Sequence, residues 1–209
     1  CKGFGFFNGG DKLKIYDIKN WGNGFGLIFR VDNPNDGSYF RGCENLDITA
    51  TDVLNLDSVT RFDNLFFDCK NLVFNESINT WDTSNINSFS SVFQNCFLFN
   101  QPLSNWSTSI IRSFKGMFWN ATSFNKDLSE WDYNGVIAAN GLDLILYNVS
   151  PNYSPNFYDN LIIKWDSNPS LGGLVSSAPI ALTRLTVKYT ANGASARQSI
   201  IDNNKIGDL

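Results

Sequence analysis

A repeat solenoid is the fold class this sequence predicts, leucine-rich-repeat-like, with one short parallel strand and one short helix in each rung of about 25–27 residues and atypical caps at both ends. Three observations predict it. Five of the six tryptophans close a four-residue phrase that opens on Ile or Leu: Ile18 to Trp21, Ile78 to Trp81, Leu103 to Trp106, Leu128 to Trp131 and Ile162 to Trp165. Trp81, Trp106 and Trp131 are evenly spaced, and the pairs Phe89/Phe114, Phe93/Phe118 and Phe99/Phe124 keep the same step. Cys43, Cys69 and Cys96 follow at nearly that step. A fixed period of this size marks stacked units, each of which buries its apolar face on the next.

The first half of each unit carries the helix expectation. Phe89, Val92, Phe93 and Cys96 fall at i, i+3, i+4 and i+7; Phe114, Met117, Phe118 and Ala121 repeat the spacing, as do Phe62, Leu65, Phe66 and Cys69. That is one apolar stripe on about two helical turns. Ser88 and Ser113 stand where a side-chain oxygen caps free backbone N–H groups. Such a short helix holds only by packing on its neighbours.

The second half carries the strand expectation. Leu103 and Trp106 are three apart, so they cannot share one face of a flat strand. Leu103 fits a turn before the strand, with Trp106, Thr108 and the region of Ile111 alternating inward, which is the shape of a leucine-rich repeat. The residues pointing outward are then Asn55, Asp57, Asp82, Ser84, Ser107, Ser109, Asp132 and Asn134, on rungs ~4.8 Å apart.

The chain is expected to form a single solenoid domain over 1–209, with an N-terminal cap and first rung at 1–42, regular repeats at 43–136, and a degenerate rung and C-terminal cap at 137–209. Residues 155–165 are expected to be helical, with Phe157, Leu161, Ile162 and Trp165 on one side. "LTVKYT" (185–190) alternates like a strand, and "SARQSIIDNN" (195–204) fits a final helix. The insert "DNPNDG" (32–37) is turn chemistry and lacks the acidic order of a calcium loop.

Composition narrows the function. Histidine is absent, which removes the commonest general base and the commonest metal ligand. No Lys/Arg cluster accompanies the net charge of −4, so a nucleic-acid backbone is not an expected partner. No apolar run approaches the ~18 residues of a membrane span. Asparagine is abundant, and Ser and Thr together are commoner still. At that frequency the five N-x-S/T sequons are what chance supplies, and carry no evidence of glycosylation.

"WDTSNINSFSSVFQNC" (81–96), "FNQPLSNW" (99–106) and "CENLDITATD" (43–52) resemble the BspA-like leucine-rich-repeat surface proteins, a family that includes mycoplasma surface lipoproteins and proteins of marine bacteria and their viruses. "GGDKLKIYDIKNWG" (9–22) resembles the family's entry, and "YDNLIIKW" (158–165) and "YTANGASARQSIIDNN" (189–204) its exit. The resemblance covers nearly the whole chain. It implies a solenoid displayed extracellularly, on a cell or virion surface, in an adhesion or recognition role. The stretch 132–154 and the ending "NNKIGDL" depart from the pattern.

The cysteines are expected to form a ladder of small buried thiols, since Ala121 takes the fourth place in their series and three cannot pair completely. Cys1 has two readings, a fragment end or a lipid-modified residue, the second opposed by the immediate "GFGFF". A ligand, if bound, lies on the outward face of Asp57, Asp82, Ser84, Ser107, Ser109 and Asp132, with Trp119 as a rim contact. No catalytic group, metal or cofactor is expected. The expected partner is a surface glycan or a protein of a host or neighbouring cell; the alternative is a rigid spacer or fibre segment, itself part of a larger protein, with no ligand of its own.

Overall fold

The structure is a computed structural model and describes residues 6–22, 37–136, 140–169, 171 and 189–202. Between residues 40 and 147 the chain passes repeatedly over itself, and each pass is tied to the next by backbone hydrogen bonds of constant offset. The N–H groups of Phe40 and Gly42 donate forward to Leu65 and Phe67, an offset of 25. Those of Phe62, Asn64, Phe66 and Asp68 share an offset of 26, those of Phe89, Ser91, Phe93 and Asn95 one of 24, and those of Phe114, Gly116, Phe118 and Asn120 one of 27, all at 2.7–3.1 Å. Every one of these bonds points toward the C-terminus.

The segments expected as helices are turns, and the ladder explains why. In an α-helix every N–H bonds within the element; here alternate N–H groups leave for the next layer. Those between them close i→i+3 turns: Leu65 N–H on Phe62 C=O, Phe67 on Asn64 and Cys69 on Phe66. Positive φ recurs at the third residue of every second turn: Asn64 and Asp68, Ser91 and Asn95, Gly116 and Asn120, Leu144 and Asn148, at 54–62°. That conformation suits Gly and Asn and strains a branched or bulky residue. Leu144 is the misfit, so Leu144→Gly is expected to raise stability by about 1 kcal/mol, read as a higher urea midpoint at unchanged slope; a lower midpoint refutes the strain.

The asparagines at these positions also bond to one another. The side-chain amide of Asn95 donates to Asp68 at 2.6 Å, that of Asn120 to Asn95 at 2.8 Å, and that of Asn148 to Asn120 at 2.8 Å. Part of the asparagine excess is therefore structural.

Inside the turns lie registered columns of apolar groups. Phe40, Phe66, Phe93 and Phe118 stack at centroid distances of 5.6, 5.8 and 5.7 Å, within 16° of parallel. The expected thiol ladder is present: Cys43, Cys69 and Cys96 are free and fully buried. Cys69 and Cys96 donate to the carbonyls of Phe40 and Phe66 in the preceding layer, at 3.1 and 3.0 Å. Burial pushes the Cys43 thiol up to about 12, so it stays protonated and unreactive at neutral pH.

Trp21, Trp81, Trp106, Trp131 and Trp165 are all buried. On their side the continuous strand ladder expected is not formed. Strand pairing among the described residues is confined to β1 (Asp17–Ile18) and β2 (Asp47–Ile48), parallel with Asp17 opposite Asp47. Beyond them, side chains clamp one layer to the next. Asp47 accepts from the N–H groups of Val73 and Phe74, and the Thr83 and Thr108 hydroxyls accept from those of Ser107 and Asp132. A short 3₁₀ turn at Glu76–Thr80 carries Ile78 inward.

The ends match the helix expectations with small shifts of boundary. Helix α1 (Pro155–Asp166) begins on a proline, whose fixed φ suits the first turn, and buries Tyr158, Leu161, Ile162 and Trp165. Helix α2 (Ala191–Asp202) packs on it. Gly193 permits the approach, because a Cβ there would collide with the Asp159 carboxylate. Most of "LTVKYT", all of the insert but Gly37, and Cys1 lie outside the described residues. At the other end, Asp52 accepts from the N–H groups of Trp21 and Gly22 at 2.9 and 2.7 Å, which holds its carboxyl below the ordinary 3.8. A depressed pKa contributes stability that is complete above the ordinary value and fades as pH falls through the lower folded one. Asp52→Asn is therefore expected to flatten the acid limb of the stability–pH curve below about pH 4; an unaltered limb refutes the latch.

Candidate functional site

The outward positions fall into register through a repeated local device. A side-chain oxygen accepts from the backbone N–H two residues on: Asn55 from Asp57 at 2.9 Å, Asp82 from Ser84 at 3.0 Å and Asp132 from Asn134 at 2.8 Å. This is the Asx turn that Asn and Asp favour. It is followed by an i→i+3 turn: Val59 N–H on Leu56 C=O, then Ile86 on Thr83, Ile111 on Thr108 and Val136 on Tyr133. Four layers thus align, with Leu54, Trp81, Trp106 and Trp131 in one buried column and Asn55, Asp82, Ser107 and Asp132 in the next. Asp57, Ser84, Ser109 and Asn134 then stand exposed at the turn.

Of the expected site residues, Asp57 and Asp82 meet at one cleft of about 270 Å³, lined by Val53, Leu54, Asn55, Leu56, Asp57, Asp82 and Asn85. Leu54 and Leu56 are buried and form its floor, while Val53, Asn55, Asp57, Asp82 and Asn85 are exposed. Ser84 reaches the cleft indirectly. Its hydroxyl, and then its backbone N–H, hold the Asp82 carboxyl below the ordinary 3.8. The Asn55 amide donates to Asp57 Oδ2 at 3.1 Å. Neither Asp57 nor Asp82 has an ion-pair partner among the described residues.

Ser107, Ser109 and Asp132 continue the face on later layers but do not line the cleft. Trp119 does not rim it. That residue belongs to the turn segment, half-buried, with its ring edge-on to Tyr147 at 5.7 Å. Val53, Leu54, Leu56 and Asn85 were missed as lining residues. The available signal was Leu54 itself, the position at which the tryptophan series gives way to Leu, so that Trp21 contacts Trp81 directly at 6.0 Å. Among the described residues no group of three or more Cys, Asp or Glu side chains gathers as a metal site, and no helix is long and apolar enough to cross a membrane.

A family model described as "Mycoplasma protein of unknown function, DUF285" matches residues 37–144, just over half of the chain. The chain belongs to this family. The matched stretch coincides with the registered layers and contains Asp57, Asp82, Ser84, Ser107, Ser109, Asp132 and Trp119. No curated protein and no solved structure matches the chain. The family's description leaves function open, so any function has to be argued from the geometry.

Proposed function

We propose that this chain is a non-catalytic recognition module, a leucine-rich-repeat-like solenoid of the BspA kind displayed on a cell or virion surface, that binds a glycan or protein of a host or neighbouring cell. The observation carrying this reading is the polar register itself: Asn55/Asp57, Asp82/Ser84, Ser107/Ser109 and Asp132/Asn134 on four successive layers, over a buried aromatic core. Short side chains held by local turns lose little entropy on binding, and extended solenoid surfaces commonly serve as binding faces. The surface location rests on the likeness of the repeats to surface proteins and on membership of a mycoplasma family.

A rigid spacer is the second reading, favoured by the unbroken forward ladder of backbone bonds. A glycan and cell-surface screen with the purified chain separates the two. Ser84→Arg and Ser109→Arg, both at exposed positions, are expected to abolish capture of the native surface while leaving thermal unfolding within about 0.5 kcal/mol of the parent. Unchanged binding by both variants moves the ligand off this face, and no binding by the parent favours the spacer.

A further inference from the structure

We propose that the cleft between the layer of Leu54–Asp57 and that of Asp82–Asn85 receives the alkyl-guanidinium or alkyl-ammonium end of a basic side chain on a partner protein. This deepens the recognition reading and rests on it. The cleft joins two features that are separate elsewhere on the face. Its floor is aliphatic, from Leu54 and Leu56 with Val53 beside them, and its rim carries two carboxylates, Asp57 and Asp82. The equivalent pair one layer on is Ser84 and Ser107, which carry no charge, and the pair after that is Ser109 and Asp132, with a single charge.

The two carboxylates are positioned before any ligand arrives. Asn55 both accepts from the Asp57 N–H and donates to Asp57 Oδ2, and Ser84 holds Asp82. No cation among the described residues neutralises either one. The cleft thus presents two carboxylates over an aliphatic floor, a surface to which the charged end of a basic side chain is complementary. A bare metal ion is the poorer occupant, since hard cations take six or more oxygen ligands or several retained waters and here half the lining is hydrocarbon. A Lys or Arg stem covers apolar surface while its charged head stays at the polar rim. At about 270 Å³ the cleft lies below the roughly 300–1,000 Å³ of pockets for whole small molecules, which suits one side chain projecting from a larger partner. Arg is also among the residues enriched at the energetic centre of protein interfaces.

The test is an amide chemical-shift titration of the ¹⁵N-labelled protein with acetyl-Gly-Arg-Gly-amide, its citrulline counterpart and butylguanidinium. The arginine peptide is expected to move the signals of 53–57 and 82–85 saturably, with citrulline inert. Asp57→Asn combined with Asp82→Asn should weaken the peptide about tenfold. Asn85→Arg supplies the cation internally and should block the site, with a parent-like spectrum elsewhere confirming the fold. Equal shifts from citrulline, no shifts, or an unaffected double variant overturn the proposal. Butylguanidinium binding more tightly than the peptide overturns the protein source in favour of a free organic cation. Surface capture that survives in the double variant but is lost in Ser109→Arg sinks the cleft chemistry alone. Failure of the parent to capture any surface sinks the recognition reading, whatever the peptide does.

Discussion

Replacing Trp106 by Ala is expected to cost about 3–5 kcal/mol of folding stability. The indole is 3% exposed. It stacks on Trp81 at 6.4 Å and 10°, and lies against Phe62, Phe89 and Phe93 at 5.8, 5.0 and 6.0 Å. Its Nε1–H donates to the Ile78 carbonyl of the preceding layer at 2.9 Å. Truncation therefore opens a cavity and strands a buried acceptor at once. The rings it touches belong to the layers of Phe62 and Phe89, so the damage spreads beyond its own layer. Trp119→Ala is the contrast: that ring is half-buried and edge-on to Tyr147, and its loss should cost about 1 kcal/mol. Urea unfolding of both variants decides the matter. A Trp106→Ala cost no larger than that of Trp119→Ala would remove the tryptophan column from the core.

The tryptophan column rests on a register that was visible in the sequence. The repeat step, the buried cysteines and the inward Phe and Trp positions all follow from spacing, because burial fixes which residues recur. Local conformation did not follow. Phe62, Leu65, Phe66 and Cys69 are spaced as on a helix, yet two successive turns of four residues bring the same positions inward. Over so short a stretch a period of 4 and a period of 3.6 cannot be told apart. The discriminating signal lay between the apolar residues: Asn64 and Asp68, Ser91 and Asn95, Gly116 and Asn120 are pairs four apart, of types that tolerate left-handed backbone. Such residues are poor choices for consecutive turns of a helix.

The candidate site was legible to the same depth. Asp57 and Asp82 came from the alternation after each Trp position, and that alternation survives because an Asx turn, like a strand, points every second residue outward. The cleft itself was not legible. It depends on Leu54 standing where later layers have Trp, and on Asn85, whose counterparts on the next two layers are Ile110 and Gly135. Trp119, expected as a rim contact, follows the inward Phe118 in the turn segment, where its ring meets Tyr147.

What replaces the expected strand pairing under this face yields the second large effect. The Thr83 hydroxyl accepts from the Ser107 N–H at 2.8 Å and lies 3.3 Å from the Ser107 carbonyl, and Thr83 is 1% exposed. The Thr108 hydroxyl does the same for the Asp132 N–H at 2.7 Å. In a parallel sheet a backbone carbonyl would fill this role; here one buried side chain does. Thr83→Val keeps the shape and removes the acceptor, leaving the Ser107 N–H partly buried without it. The expected cost is about 1–3 kcal/mol, with faster amide exchange at Ser107. Thr83→Ser keeps the oxygen and loses only a methyl group, so it should retain protection of the Ser107 amide while giving up about 1 kcal/mol of packing. Because Ser107 follows Trp106 directly, loosening it also loosens the exposed positions beside it, and any ligand of the polar face should then bind more weakly to Thr83→Val than to Thr83→Ser. Equal stability and equal Ser107 exchange in the two variants would mean that packing alone, without the hydroxyl, sets the spacing of the layers.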